Sequence, residues 1–133
     1  MYKRDDSKNS IYFVENMGYV KIGLCKGDNP RRRLVEMKTN CPTEPKLLGW
    51  ITFTASSETT RLIERQFHDN FKAYHFRGEW FFGVPVRLWL YDFFYHEGIW
   101  RPDALETIEG WEMYIERLTP GAYNEIVKRR NNA

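Results

Sequence analysis

The sequence predicts an α+β domain: a small three-stranded antiparallel sheet flanked by helices, followed by a helical extension. Three observations carry this. Val20, Ile22 and Leu24 alternate with Tyr19, Lys21 and Gly23, the period of two of a half-buried strand. Ser10 to Glu15 forms a second such segment across the turn-like Glu15-Asn16-Met17-Gly18, so the pair reads as a hairpin. Two helix-start signals follow, Asp28-Asn29-Pro30 and Ser56-Ser57-Glu58, and the apolar run Leu47 to Phe53 between them reads as a buried third strand.

The elements then fall in order. Residues 1–9 are polar and read as a flexible N-terminus. After the hairpin, Cys25 to Asn29 is a loop, and Pro30 occupies the first position of a helix that turns Leu34 and Met37 to the core and ends at Asn40-Cys41-Pro42. The helix opened by Ser56 carries its apolar stripe on Leu62, Ile63, Phe67 and Phe71. Gly78 to Phe82 is a short extended piece. Pro85 starts a third helix running towards His96 and stopping at Gly98. Pro102 opens a fourth, with Leu105, Ile108, Trp111 and Ile115 at near-helical spacing, and a last short helix follows Gly121. Residues 10–97 thus form the domain and residues 98–133 a helical extension packed on it.

A chain of 133 residues is one domain's worth. Its 42% apolar and 17% aromatic content supplies a core and excludes disorder over most of the length. Apolar runs stop far short of the roughly 20 residues that span a bilayer, and no apolar stretch follows the N-terminus, so the expectation is a cytoplasmic protein without a membrane partner. Cys25 and Cys41 fit neither a disulfide framework nor a zinc pattern and read as free thiols in a reducing compartment. The net charge of +2 is modest, but residues 1–35 carry +4, sharpest at Arg31-Arg32-Arg33. Such a cluster is either a solvated helix end or a surface for phosphates.

Three groupings could carry chemistry. With Asn16-Met17 as a two-residue hairpin loop, Tyr12 lies across from Lys21, an ammonium that would lower the phenol pKa, and Gly23 leaves the backbone open to approach. The same residues could be the wet face of an ordinary hairpin. Glu64 and His68 stand i, i+4 on one helix face with Arg61 a turn before, a pair that can hold a divalent cation or stay solvated. Arg33 lies in the first turn of a helix whose N-terminus favours anions, where a guanidinium can clamp a phosphate.

Taken together, Ile11-Tyr12-Phe13, Val20-Lys21-Ile22-Gly23, Arg33-Leu34, Glu64 with His68 and Phe71, and Gly78-Glu79-Trp80-Phe81 resemble the GIY-YIG endonuclease superfamily. The likeness is to its small phage and bacterial branch, whose second motif reads Lys-Ile-Gly, and it spans residues 10 to about 95. The resemblance implies an endonuclease that cuts nucleic acid, DNA in preference to RNA, with one Mg²⁺ or Mn²⁺ in a bacterial or phage-infected cell. By position, Tyr12 matches the general base or water-activating tyrosine and Lys21 falls where the second motif usually has tyrosine. Arg33 matches the phosphate-contacting arginine, Glu64 the single metal-ligand carboxylate, and His68 the histidine of the Glu-x-x-x-His helix. Ile11 departs from the first motif's glycine, Tyr19 could supply a displaced phenol, and the longer loop before Arg33 lets Arg32 take its place. Lys26, Arg31, Arg32 and Arg61 are the expected further nucleic-acid contacts. The alternatives are a catalytically silent binding module on the same fold, and a protein-interaction domain or homodimer formed through the stripe of Trp89, Tyr91, Phe93, Phe94, Tyr95 and Trp100; a separate partner that supplies sequence specificity is a further expectation.

Overall fold

A computed structural model describes residues 8–39, 41, 43–91, 105–106 and 122–131. The strands are β1 (Lys8–Asn16), β2 (Tyr19–Lys26), β3 (Lys46–Thr54), β4 (His75–Arg77), β5 (Trp80–Phe82) and β6 (Leu105–Glu106). The helices are α1 (Arg31–Lys38), α2 (Ser57–Asn70), α3 (Gly83–Tyr91) and α4 (Ala122–Asn131), with a 3-10 turn at Lys72–Tyr74. The class is α+β as expected, but the sheet is larger than three strands. Its order is β4-β5-β2-β1-β3-β6. The first five strands pair antiparallel, and β6 adds a two-residue parallel edge to β3 through Thr52↔Leu105 and Phe53↔Glu106.

The added strands are two or three residues long, too short to show a period. Leu105 therefore belongs to a strand and not to the expected fourth helix; the rest of that helix, and the third helix beyond Tyr91, lie outside the described residues. So do Phe93, Phe94, Tyr95 and Trp100. The third helix begins at Gly83, two residues before Pro85. At the N-terminus, Lys8 and Asn9 are strand and not flexible: Asn9 is buried and its Nδ2 donates to the Ala55 carbonyl at 2.6 Å.

The hairpin register also differs. Asn16 pairs with Tyr19 and Tyr12 with Gly23. The loop is Met17-Gly18, both with positive φ (53° and 85°), the left-handed pair that a twisted two-residue hairpin requires. Glycine at the second position makes this turn cheaper than Asn16-Met17 would be. The two-residue slip preserves the faces, because side chains alternate with period two.

One face of the sheet holds the main core. Ile11, Phe13, Val20, Ile22, Ile51 and Phe53 meet Ile63, Phe67 and Phe71 from α2 and its end, Val86 and Leu90 from α3, and Val127 from α4. Trp89 packs edge-on against Phe67 and Phe71 at 5.6 and 5.8 Å, which places it against this core. Ser56 caps α2, its Oγ accepting from the Thr59 N–H at 3.1 Å. On the other face, among the described residues, α1 provides the cover, with Leu34, Met37 and Leu47 lying on Tyr12, Val14, Cys25 and Trp50. Helix α1 buries no residue of its own fully. Pro30 is its N-cap and Arg31 its first residue, so the helix starts one position later than expected, and Asn29 Oδ1 accepts from the Arg31 N–H at 3.0 Å. The indole of Trp50 donates to the Asp28 carbonyl at 2.9 Å and ties the preceding loop down. Among the described residues, no helix is long and apolar enough to cross a membrane.

Candidate active site

Of the polar residues singled out in the sequence, the face under α1 holds Tyr12, Lys21 and Arg33, while Glu64 and His68 stand on α2. A cavity of about 290 Å³ opens there, lined by Tyr12, Lys21, Arg33, Met37 and Trp80 among others. Alternation along β1 and β2 places Tyr12 and Lys21 on this side, and the Lys21↔Trp80 pairing brings β5 to the rim. A wider hollow of about 590 Å³ adjoins it and is lined by Lys26, Arg32 and Arg33; Arg33 and Glu36 border both. Arg33 and Glu36 themselves form an ion pair at 3.6 Å.

Tyr12 and Lys21 stand diagonally, since Val14 is the residue across from Lys21. The bare Gly23, expected to admit a ligand, is instead covered by the Tyr12 ring. Lys21 pairs with Glu79 at 3.8 Å. The expectation that Lys21 lowers the phenol pKa is overturned. Burial first, then the Glu79 carboxylate, raises Tyr12 to about 12, with Arg33 acting in the opposite sense. Tyr12 is a phenol at neutral pH.

Glu64, on α2, belongs electrostatically to the same group. Burial and the nearby Glu79 raise its carboxyl to about 7, while Arg61 and Lys21 pull it down. Its Oε2 is buried without a hydrogen-bond partner. Glu79 was part of the Gly-Glu-Trp-Phe string, but nothing in that string signalled a role. It sits in the β4–β5 turn beside Gly78, and its carbonyl accepts from the Ile22 N–H at 3.0 Å, which fixes the turn against β2. The carboxylate thereby comes within electrostatic reach of Tyr12, Lys21 and Glu64.

Three expected site residues point elsewhere. His68 Nε2 bonds the Ile22 carbonyl at 2.9 Å and its ring stands edge-on to Phe81, so it ties α2 to β2. Tyr19 stacks on Phe76, centroids 4.2 Å apart, and touches Phe82. Arg31 lies over the Trp50 ring at 5.0 Å, on the side of α1 away from Arg33, because two residues along a helix turn through about 200°.

A divalent metal fits this donor set. The buried Glu64 Oε2 has no hydrogen-bond partner and its carboxyl is raised to about 7, so its own proton or a hard cation would equally satisfy it. Among the described residues no three His, Cys, Asp or Glu side chains gather as a metal cage, so the donor would be Glu64, with open positions left for water and substrate oxygens. The chain matches no family model, no curated protein and no solved structure.

Proposed function

We propose that this protein is a metal-dependent endonuclease acting on nucleic-acid phosphodiesters. The observation that supports this best is the orphaned Glu64 oxygen lying in the electrostatic neighbourhood of a cavity that Tyr12, Lys21 and Arg33 share. The reaction forms a bond from a water oxygen to phosphorus, breaks the bond to one ester oxygen, and delivers one proton of that water to the leaving oxygen. Arg33 would hold two phosphate oxygens through its planar fork once it leaves Glu36, and Lys21 would add charge once it leaves Glu79. Lys26 and Arg32 line the adjoining hollow, where neighbouring phosphates would lie. In its ionised form Tyr12 would take the proton from the attacking water and, as the phenol so formed, return a proton through solvent to the leaving oxygen. Mg²⁺ or Mn²⁺ on Glu64, when bound, supplies positive charge to the phosphoryl oxygens. His68 and Tyr19 take no part in this scheme, and Arg61 tunes Glu64.

The raised Tyr12 pKa favours a second reading, a module that binds without cutting. Incubation of the chain with supercoiled plasmid, single-stranded DNA and RNA, with Mg²⁺, Mn²⁺ or chelator, separates the two. Nicking or strand cleavage that chelator abolishes is the expected result. Binding without cleavage under every condition establishes the second reading, and cleavage indifferent to chelator overturns the metal assignment.

A further inference from the structure

Three aromatic rings, Tyr19, Phe76 and Phe82, lie in mutual contact at the hairpin end of the sheet. Their centroid separations are 4.2 Å for Tyr19–Phe76, 5.8 Å for Tyr19–Phe82 and 5.9 Å for Phe76–Phe82. Phe76 and Phe82 each leave 49% of their surface to solvent. Phe81 of β5 is buried in the main core, whereas Phe76 and Phe82 belong to neither core cluster. Tyr19 stands two residues from Lys21 on β2, and Phe82 two from Trp80 on β5, so Tyr19 and Phe82, with Phe76 stacked on Tyr19 and tilted against Phe82, share the sheet face of the Tyr12 cavity. Along β2, Tyr19 is four residues from Gly23, about 13 Å from the position that Tyr12 covers. Lys21 lies between, and the cations of α1 and the β2 end lie beyond.

We propose that this ring cluster is a stacking platform for unpaired nucleobases, and that the substrate is nucleic acid with single-stranded nucleotides at this face. The inference rests on the nuclease reading for the identity of the polymer. The chemistry selects the occupant. A flat ring that is half exposed offers its π-face to a base, and every base has one. In a duplex those faces are already stacked, so only unpaired nucleotides reach the platform. An apolar protein partner would leave Lys26 and Arg32, which hold no ion pair among the described residues, without a counter-charge, whereas a single strand sets phosphates against them while its bases meet the rings.

The test uses the full chain in chelator, so that binding is read without cleavage. Fluorescence anisotropy compares a labelled single-stranded oligonucleotide with the same sequence as a duplex. The expected result is preference for the single strand, weakened about tenfold by Phe76→Leu or Phe82→Leu and kept by Phe76→Tyr, with duplex affinity unchanged. Leucine retains apolar bulk but no π-face, so a merely structural role would not separate it from tyrosine. Equal binding of single strand and duplex, unmoved by the leucine variants, overturns the platform while leaving plasmid cleavage to decide the nuclease reading. Ring-dependent single-strand binding with no cleavage under Mg²⁺ or Mn²⁺ keeps the platform and removes the nuclease. A leucine variant that changes only the oligomeric state on gel filtration identifies the patch as a contact between copies and overturns the proposal.

Discussion

The ring of Tyr12 rests on the bare Cα of Gly23: a Cβ at position 23 would stand 2.3 Å from both its Cζ and its Oη. Tyr12 is 3% exposed under α1, so the ring can yield only by moving further into the cavity it lines. Gly23→Ala should therefore cost about 1–3 kcal/mol by overpacking and displace the phenol from the cavity. In a Tyr12→Ser background the same substitution should cost little. Urea denaturation of the four proteins measures the coupling; additive effects would show that the ring does not lean on this glycine.

Tyr12 titrates at about 12, so at neutral pH only a small fraction is phenolate. If that fraction takes the proton from water, cleavage should climb about tenfold per pH unit from pH 7 upwards, without a plateau until the protein unfolds. Glu79→Gln removes a charge that raises the phenol pKa and should lift the rate at pH 8, in parallel with an earlier phenolate absorbance that Tyr12→Phe abolishes. A pH-independent rate with Tyr12→Phe inactive would leave Tyr12 as a hydrogen-bond donor only.

Glu64 carries a second pH signature. Its folded carboxyl, near 7, lies above the ordinary value of 4.5, so the unfolded chain loses its proton first. Stability should fall as pH rises from about 4.5 to 7, and Glu64→Gln should recover about 1–2 kcal/mol above pH 7, discounted for the screening a partly exposed group retains, and nothing below pH 4.5. Mn²⁺ or Mg²⁺ should raise the melting temperature of the parent above pH 7, lose this effect as Glu64 protonates below it, and leave Glu64→Gln unmoved. Equal metal stabilisation of both proteins would remove Glu64 as the ligand.

What the sequence disclosed follows from which physical signals are local. The two faces of the β1–β2 hairpin were legible because side-chain parity survives a register slip of two residues; the register itself was not, because it depends on Met17-Gly18 accepting positive φ. Glu64 and His68 were correctly paired on one side of α2 by helical spacing. Spacing could not say that the imidazole would bond the Ile22 carbonyl while a carboxylate oxygen remained unpartnered. The sign of the Tyr12 shift depends on burial by α1 and on Glu79, 67 positions away in sequence, and neither is a local property. Strand β5 falls inside the extended piece read at Gly78 to Phe82, whereas β4 and β6 left no periodic signal, and the β4–β5 turn is what carries Glu79 to β2.

The arginine run divides by geometry into residues with different work. Arg31 lies over Trp50, away from both hollows, so Arg31→Ala should cost about 0.5–1 kcal/mol of stability and leave nucleic-acid affinity and its salt dependence as they were. Arg32 borders only the wider hollow with Lys26; Arg32→Ala and Lys26→Ala should each weaken binding across all sequences and reduce the salt slope by about 0.7 on single strands, with the cleavage rate of saturated enzyme unchanged. Arg33 borders both hollows and is the charge that opposes the rise in the Tyr12 pKa. Its replacement by Ala should lower both binding and saturated rate, and should shift any alkaline rise in rate to still higher pH. Lysine at this position restores the charge but not the two-pronged hydrogen bond, so Arg33→Lys should recover salt slope and the pH profile while leaving most of the rate deficit. Binding titrations at several salt concentrations, paired with saturated cleavage rates, read all of these. An Arg33→Lys enzyme as fast as the parent would show that charge alone suffices there, and an Arg31→Ala protein with a reduced salt slope would place the strand across the opposite side of α1.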